Sequence, residues 1–198
     1  MIALILVDIQ NDFLPGGGLA VPRGDEILEF VNQLLPDYPQ VVATQDWHPA
    51  DHSSFASQHA GKQIGDTLLI NGQTQMLWPD HCVQGTRGAD FAAQLDCSRI
   101  NHVVRKGTDR EIDSYSGFFD NARRRETGLA DYLQAQAIEE VHIVGLATDY
   151  CVKFTALDAI DLGFRTTLFQ EGTRGVDLPP GDSTRALDAM SQAGVQVI

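Results

Sequence analysis

Cys151 is the residue whose position most directly suggests chemistry. It stands at the start of a predicted helix, a few residues after the apolar run 141–146. Backbone N–H groups at a helix N-terminus favour the thiolate form of a cysteine and can also hold a developing oxyanion. A lone cysteine in such a place more often packs a helix against a sheet, so this residue alone leaves both interpretations open.

Asp8 and Lys106 directly follow two other apolar runs, at 2–7 and 102–105. Asp8 could take the thiol proton as a general base, or it could accept the N–H groups of a turn. Lys106 could hold that carboxylate and stabilise negative charge, although most lysines are solvated. Ligands of open parallel sheets bind beyond the carboxyl ends of the strands. If these runs are parallel strands, a carboxylate, an ammonium and a thiol therefore meet at one edge of the sheet.

Asp46 and His48 are two residues apart and share one side of an extended segment. Together with His81 they form a set of two histidines and one carboxylate, which commonly binds divalent metals. Zinc, iron and manganese all accept this set, and His52 is a candidate fourth ligand or a neighbour of the first three. The alternative is that each histidine is only hydrogen-bonded locally. We adopt that alternative for the remaining histidines: His59, His102 and His142.

The spacing of apolar residues predicts the elements that would position these side chains. Continuous runs rich in Val, Ile and Leu are typical of parallel strands buried on both faces, and they occur at 2–7, 40–44, 102–105, 141–146, 165–169 and 195–198. Helical spacing appears at 25–35, 128–137, 151–162 and 183–193. The alternation predicts an α/β fold of three α/β/α layers, with a doubly wound, mostly parallel sheet of about six strands. We interpret 1–198 as one domain with a long binding insertion at about 47–101.

Composition limits the partners of this chain. Its 198 residues carry 27 acidic and 14 basic side chains, for a formal net charge of −13. Such a surface repels phosphate backbones and anionic membranes, so we expect neither nucleic-acid nor membrane partners. The sequence shows no export signal and no apolar run of bilayer length. It contains three cysteines, an odd number. We therefore expect a reduced, cytoplasmic protein without structural disulfides.

The motifs that hold these residues resemble the nicotinamidase/pyrazinamidase family of the isochorismatase-like cysteine hydrolases. The resemblance extends along essentially the whole chain, and the pairing of DWHP with WPDHCV is specific to the nicotinamidase branch. The matching segments are VDIQNDF (7–13), PGGGLAV (15–21), TQDWHPADHSSF (44–55), WPDHCVQGTRGA (78–89), RKGTD (105–109), YSGFFDN (115–121) and GLATDYCV (145–152).

The resemblance implies a role for each matching position. The implied catalytic triad is Asp8, Lys106 and Cys151. The implied metal ligands are Asp46, His48 and His81. The implied oxyanion hole consists of the N–H groups of Ala147 and Cys151, next to a cis peptide between Leu146 and Ala147. The residues implied to contact the substrate are Phe13 and Trp78, which would sandwich a pyridine ring, with Tyr115, Ser116 and Ala147 lining the pocket.

The resemblance also implies the reaction. It predicts hydrolysis of nicotinamide to nicotinate and ammonia through a cysteine thioester, as a step of NAD salvage, with pyrazinamide as a further substrate. It implies one divalent metal ion, with zinc expected and iron or manganese as alternatives, and it leaves open whether the protein is a homo-oligomer.

Two other classes of function stay open. A metal oxygenase could use the same ligand set but gives Cys151 and Lys106 no role, and a non-enzymatic binding protein would need no triad. Within the superfamily, other amidases and an isochorismate hydrolase are further alternatives.

Overall fold

A six-stranded parallel sheet organises the protein, whose computed structural model describes residues 1–198. The strands of the structure are β1 (Ile2–Val7), β2 (Val41–Asp46), β3 (Thr67–Ile70), β4 (Gln73–Met76), β5 (His102–Lys106), β6 (Glu140–Leu146), β7 (Arg165–Arg174) and β8 (Gln196–Val197). The main sheet has the order β5-β2-β1-β6-β7-β8, and every neighbouring pair in it is parallel. The chain thus winds outward from β1, returns to β6 beside it, and continues in the opposite direction. This confirms the predicted doubly wound sheet.

Helices cover both faces of the sheet. They are α1 (Ile27–Leu34), α2 (Leu129–Ala135), α3 (Lys153–Asp161) and α4 (Asp182–Gln192). Side chains of β1 alternate between two buried clusters, because successive residues of a strand point to opposite faces. Ala3, Ile5 and Val7 pack towards α2, α3 and α4, whereas Leu4 and Leu6 pack towards α1. The predicted three layers are therefore present. No helix has the length and apolar character needed to cross a membrane.

Two elements differ from the sequence prediction. The helix predicted at 151–162 is preceded by a π-helical turn, Thr148–Val152, and the regular helix α3 begins only at Lys153. The strand predicted at 165–169 continues to Arg174, because its polar second half pairs with the end of β6 after a register shift. Both differences arise beside Cys151, where backbone pairing rather than apolar spacing determines the conformation.

The segment 47–101 folds back on itself and closes over the carboxyl edge of the sheet. His48 and Cys82 are joined by a backbone hydrogen bond of 3.0 Å, and Trp78 and Ser54 by one of 2.8 Å. Between these contacts lies the antiparallel hairpin β3–β4, which apolar spacing did not predict. The hydrogen bond between His48 and Cys82 brings His48, at the start of the segment, next to His81.

Candidate active site

The carboxyl ends of three strands of the sheet bring Asp8, Lys106 and Cys151 together. Asp8 follows β1, Lys106 ends β5, and Cys151 lies in the π-helical turn after β6. The Lys106 Nζ atom is 2.9 Å from Asp8 Oδ2 and 3.4 Å from the Cys151 Sγ atom. All three side chains are buried. A carboxylate, an ammonium and a thiol thus meet at the point where the winding of the sheet reverses, which is where open α/β sheets bind ligands.

Asp8 is held in place by a hydroxyl group on the neighbouring strand. The Thr44 Oγ1 atom donates to Asp8 Oδ1 at 2.6 Å, and Asp8 N donates back to the same hydroxyl at 3.2 Å. Oδ2 is left facing Lys106. Burial raises the pKa of the Asp8 carboxyl to about 6, although the Lys106 charge acts in the opposite direction. Asp8 is therefore ionised at neutral pH but binds a proton more readily than an ordinary aspartate.

Lys106 is a buried cation between two carboxylates. Besides Asp8, its ammonium group contacts Asp46 Oδ1 at 2.5 Å and the Ser114 carbonyl at 2.8 Å. Burial alone would lower the pKa of Lys106, but Asp46 and Asp8 outweigh it, and the net pKa lies well above the usual value. The ammonium therefore stays charged and offsets part of the negative charge at this edge of the sheet.

Cys151 rests as a neutral thiol. Burial raises its pKa well above the usual value, Lys106 opposes this shift, and Asp8 and Asp46 add to it. The N–H groups of Tyr150 and Val152 both donate to the Ala147 carbonyl at 3.1 Å, so the chain turns tightly around the cysteine. The peptide between Leu146 and Ala147 is cis, as the resemblance implies. Forming the thiolate at neutral pH therefore needs a base, and the Asp8 carboxyl adjoins the thiol.

Asp46, His48 and His81 form a buried group whose ligand atoms lie within 4.8 Å of one another. His48 Nε2 is 3.6 Å and His81 Nε2 is 3.8 Å from Asp46 Oδ2. The other ring nitrogens are engaged, since His48 Nδ1 contacts the Gly107 carbonyl at 2.9 Å and His81 Nδ1 the Pro79 carbonyl at 2.8 Å. These contacts leave both Nε2 atoms turned towards Asp46, and His48 Nε2 has no hydrogen-bond partner. The arrangement therefore fits a divalent cation.

His52 lies behind His48 rather than within that group. Their ring centroids are 4.4 Å apart, and the His52 Nδ1 atom is 2.7 Å from the Ser54 hydroxyl. The Nε2 atom of His52 is buried without a partner, and it forms a second close group with His48 and Asp113. Asp113 cannot be singled out from the sequence, because it stands in a loop segment without apolar periodicity.

A small cavity opens onto Cys151 and onto Asp46 and His81 of the metal-type group. Its lining consists of Phe13, Leu19, Asp46, Trp78, His81, Asp113, Tyr115, Ala147, Tyr150, Cys151 and Val176. The structure places Phe13, Trp78, Tyr115 and Ala147 in this lining, where the resemblance implies substrate contacts. Ser116 is buried outside the lining, and its hydroxyl accepts the Phe118 N–H at 3.0 Å. Leu19, Tyr150 and Val176 line the cavity without having been singled out from the sequence.

The aromatic residues of this cavity contact one another. The Trp78 indole N–H donates to the Tyr115 hydroxyl at 3.0 Å, and the Trp78 and Tyr150 rings meet edge to face at 4.8 Å. Phe13 packs against the His81 ring at 5.6 Å between centroids. Paired aromatic rings with satisfied polar groups are suited to a flat, mostly apolar ligand. A wider, open cleft beside residues 11–17 contains none of the candidate residues.

Comparison with known proteins places the chain in a family. Residues 2–198 match the Isochorismatase domain model. The nicotinamidase of Escherichia coli (strain K12) is 49% identical over 197 residues, covering 97% of this chain and 92% of that protein. The chain belongs to the isochorismatase domain family, and the family resemblance stated from its motifs is confirmed.

Two solved structures have the same fold. A nicotinamidase/pyrazinamidase from Acinetobacter baumannii superimposes with a TM-score of 0.96 at 45% identity, covering 100% of this chain and 95% of that one. A pyrazinamidase from Pyrococcus horikoshii in complex with zinc gives a TM-score of 0.81 at 37% identity, covering 100% and 98%. Both likenesses extend over the whole chain, including the residues of the candidate site.

Proposed function

We propose that this protein is a nicotinamidase, which hydrolyses nicotinamide to nicotinate and ammonia as a step of pyridine nucleotide salvage. One observation carries the proposal: Cys151, with Lys106 and Asp8 behind it, lines the same aromatic cavity as Asp46 and His81, two members of a group suited to a divalent metal. The whole-chain likeness to proteins named nicotinamidase supports it. Pyrazinamide, which also carries a carboxamide on a six-membered nitrogen ring, is the expected second substrate.

The resting charges suit the first step. Asp8 is ionised at neutral pH and Cys151 is a neutral thiol, because its pKa is raised. Asp8 takes the proton from Cys151, and the thiolate attacks the carboxamide carbon. Lys106, whose ammonium lies 3.4 Å from the sulfur, stabilises the negative charge during the transfer. The lysine keeps its own proton throughout, since its pKa lies well above the usual value.

The second half of the reaction releases ammonia and restores the cysteine. The N–H groups of Ala147 and Cys151 are our candidates for the oxyanion hole, where one donor contributes about 3 kcal/mol. Asp8 returns its proton to the amide nitrogen, the C–N bond breaks, and ammonia leaves a thioester on Cys151. A water molecule then gives a proton to Asp8 and its hydroxyl to the thioester carbon. The C–S bond breaks, the sulfur recovers its proton from Asp8, and the nicotinic acid formed loses its carboxyl proton to solvent and leaves as nicotinate.

Asp46, His48 and His81 are the residues that would hold the metal ion. When bound, a divalent cation would supply a Lewis acid that orients the substrate by its ring nitrogen. Zinc is our first assignment, because the pyrazinamidase from Pyrococcus horikoshii is in complex with zinc, and iron and manganese accept the same ligands. Phe13, Trp78 and Tyr115 would hold the ring by its faces and edge.

Ammonia release from nicotinamide tests this function. Cys151→Ala is expected to lower the rate by at least about 10³-fold, as removal of a nucleophile does in other hydrolases. The matched control is Cys97→Ala, because Cys97 is exposed and lies outside the cavity. We expect a chelator to abolish activity and added zinc to restore it. Near wild-type ammonia release by Cys151→Ala would refute the thioester scheme, and oxygen uptake without ammonia would favour the metal oxygenase.

A further inference from the structure

A buried carboxylate two residues before the nucleophile takes no part in the proposed chemistry. Asp149 lies in the π-helical turn Thr148–Val152 and is 3% exposed. Its Oδ1 atom accepts the N–H of Val176 at 3.0 Å, and its Oδ2 atom accepts the N–H of Asp177 at 2.8 Å. The carboxylate therefore binds two consecutive backbone N–H groups of the loop that follows β7.

The same loop is fixed from its other side by the start of α4. The Asp177 carboxylate accepts the Ser183 N–H at 2.8 Å and the Ser183 hydroxyl at 2.7 Å. A Cβ atom added to Gly175 would lie 1.8 Å from Ser183 Oγ and 3.2 Å from Asp149 Oδ1, so no free space separates the loop from its two anchors. We call residues 175–177 the wall loop.

The wall loop carries one residue of the substrate cavity. Val176 lines that cavity together with Ala147 and Cys151. Its position depends on its backbone, because an aliphatic side chain has no polar group that could fix it. The backbone N–H of this residue is one of the two groups bound by Asp149. Because its two oxygens bind this N–H and the next one along the chain, Asp149 is well suited to set where this part of the lining lies.

We propose that Asp149 is a positioning residue that sets the width of the ring pocket through Val176, and so selects against pyridine carboxamides that carry a substituent on that side. This inference rests on the proposed function for its substrate class. The π-helical turn would then have two tasks. It would place the nucleophile Cys151 and, through Asp149, the wall loop that positions the ring next to Cys151.

Kinetics on nicotinamide and its four ring-methylated isomers test the proposal. Asp149→Asn keeps the size of the side chain but replaces one acceptor by an NH₂ group that faces a backbone N–H. We expect it to raise KM for nicotinamide more than it lowers kcat. For at least one methylated isomer we expect kcat/KM relative to nicotinamide to rise by at least about 5-fold, within the range that one methyl group commands in a binding pocket.

Val176→Ala provides the second arm, because it shortens the wall without touching the carboxylate. The same isomer should gain in both variants, and the double variant should gain little beyond either single one, because both act through one wall. Asp120→Asn is the matched control. Asp120 accepts the N–H groups of Ala122, Arg124 and Arg125 in a loop outside the cavity, so its loss should leave the isomer ratios unchanged.

Hydrogen exchange supplies a readout that needs no activity. In Asp149→Asn the amides of Val176 and Asp177 should exchange faster than in the wild type, whereas those of the sheet should not. If this variant does not fold, Asp149→Glu, which displaces both oxygens by one methylene, takes its place. Unchanged exchange at both amides, or isomer ratios that change in Val176→Ala but not in the Asp149 variant, would overturn the proposal. Failure of the wild type to release ammonia would instead overturn the proposed function, and the exchange result would still decide the role of Asp149.

Discussion

Replacing Thr44 by valine should impair the base without touching any group that reacts. Thr44 donates a hydrogen bond of 2.6 Å to Asp8 Oδ1 and accepts the Asp8 N–H at 3.2 Å. Valine has nearly the same shape but no hydroxyl, so the ionised form of Asp8 loses a donor. Burial raises the pKa of Asp8 to about 6, and the Thr44 hydroxyl is one of the contacts that lower it. Without it, the carboxyl should hold its proton at higher pH.

The size of this effect follows from the strength of the lost bond. A hydrogen bond to a charged group contributes roughly 1.5–3 kcal/mol, and 1.36 kcal/mol corresponds to one pH unit, so the Asp8 pKa should rise by about 1 to 2. In the proposed mechanism Asp8 acts in its ionised form, so the substitution should lower activity on the acid side of the pH profile. At pH 7 the ionised fraction should fall from about nine-tenths to between one-half and one-tenth, with kcat/KM about 2- to 10-fold lower. The loss should disappear near pH 9.

The measurement is kcat/KM for ammonia release between pH 5 and pH 9.5. Thr44→Ser is the matched control, because serine keeps the hydroxyl and loses only a methyl group, and its acid limb should stay near that of the wild type. Circular dichroism establishes that both variants fold. A valine variant whose acid limb coincides with that of the wild type, or whose loss is the same at every pH, would contradict the role given to Thr44.

Two further substitutions test the metal group and the buried ammonium. Gly107→Ala should weaken zinc binding by about 10-fold or more, measured by competition with a chromophoric chelator, because its Cβ would lie 2.4 Å from the His48 ring. Gly85 also has a positive φ, but a Cβ there would face open space. An equal loss of zinc affinity in Gly85→Ala would therefore show that backbone strain, not the contact with His48, is the cause. Lys106→Met should lower the free energy of unfolding in urea by roughly 3–5 kcal/mol, since it leaves two buried carboxylates unpaired. A variant as stable as the wild type would contradict this pairing.

The centre of the sheet could be predicted from the sequence because β1 is almost wholly buried and consists of apolar residues alone. The run 2–7 coincides with β1 (Ile2–Val7) for this reason. The second half of β7 contains Gln170, Glu171 and Arg174, which resemble a loop, and it becomes a strand only through pairing with β6. The hairpin β3–β4 is likewise not predicted by apolar spacing, because most of its residues are polar or incompletely buried. Elements defined by their partners leave little trace in apolar periodicity.

The grouping of Asp8, Lys106 and Cys151 could be predicted because strand ends reveal which side chains share an edge. Residues that support them were harder to find. Thr44 lies inside a predicted strand and looks like an ordinary β-branched residue, and its contact to Asp8 depends on the register of β1 with β2. Val176 enters the cavity from a loop that follows an unpredicted part of β7. Their roles depend on tertiary neighbours rather than on local pattern.

Lys106 explains why the metal group and the cysteine site occupy the same strand ends. Its ammonium contacts Asp8 on one side at 2.9 Å and Asp46 on the other at 2.5 Å. The order β5-β2-β1-β6 places these residues on adjacent strands, with Cys151 following β6. Neither carboxylate could stay ionised so far from water without a cation between them. One buried lysine therefore lies between the proposed base for the thiol, Asp8, and a proposed metal ligand, Asp46.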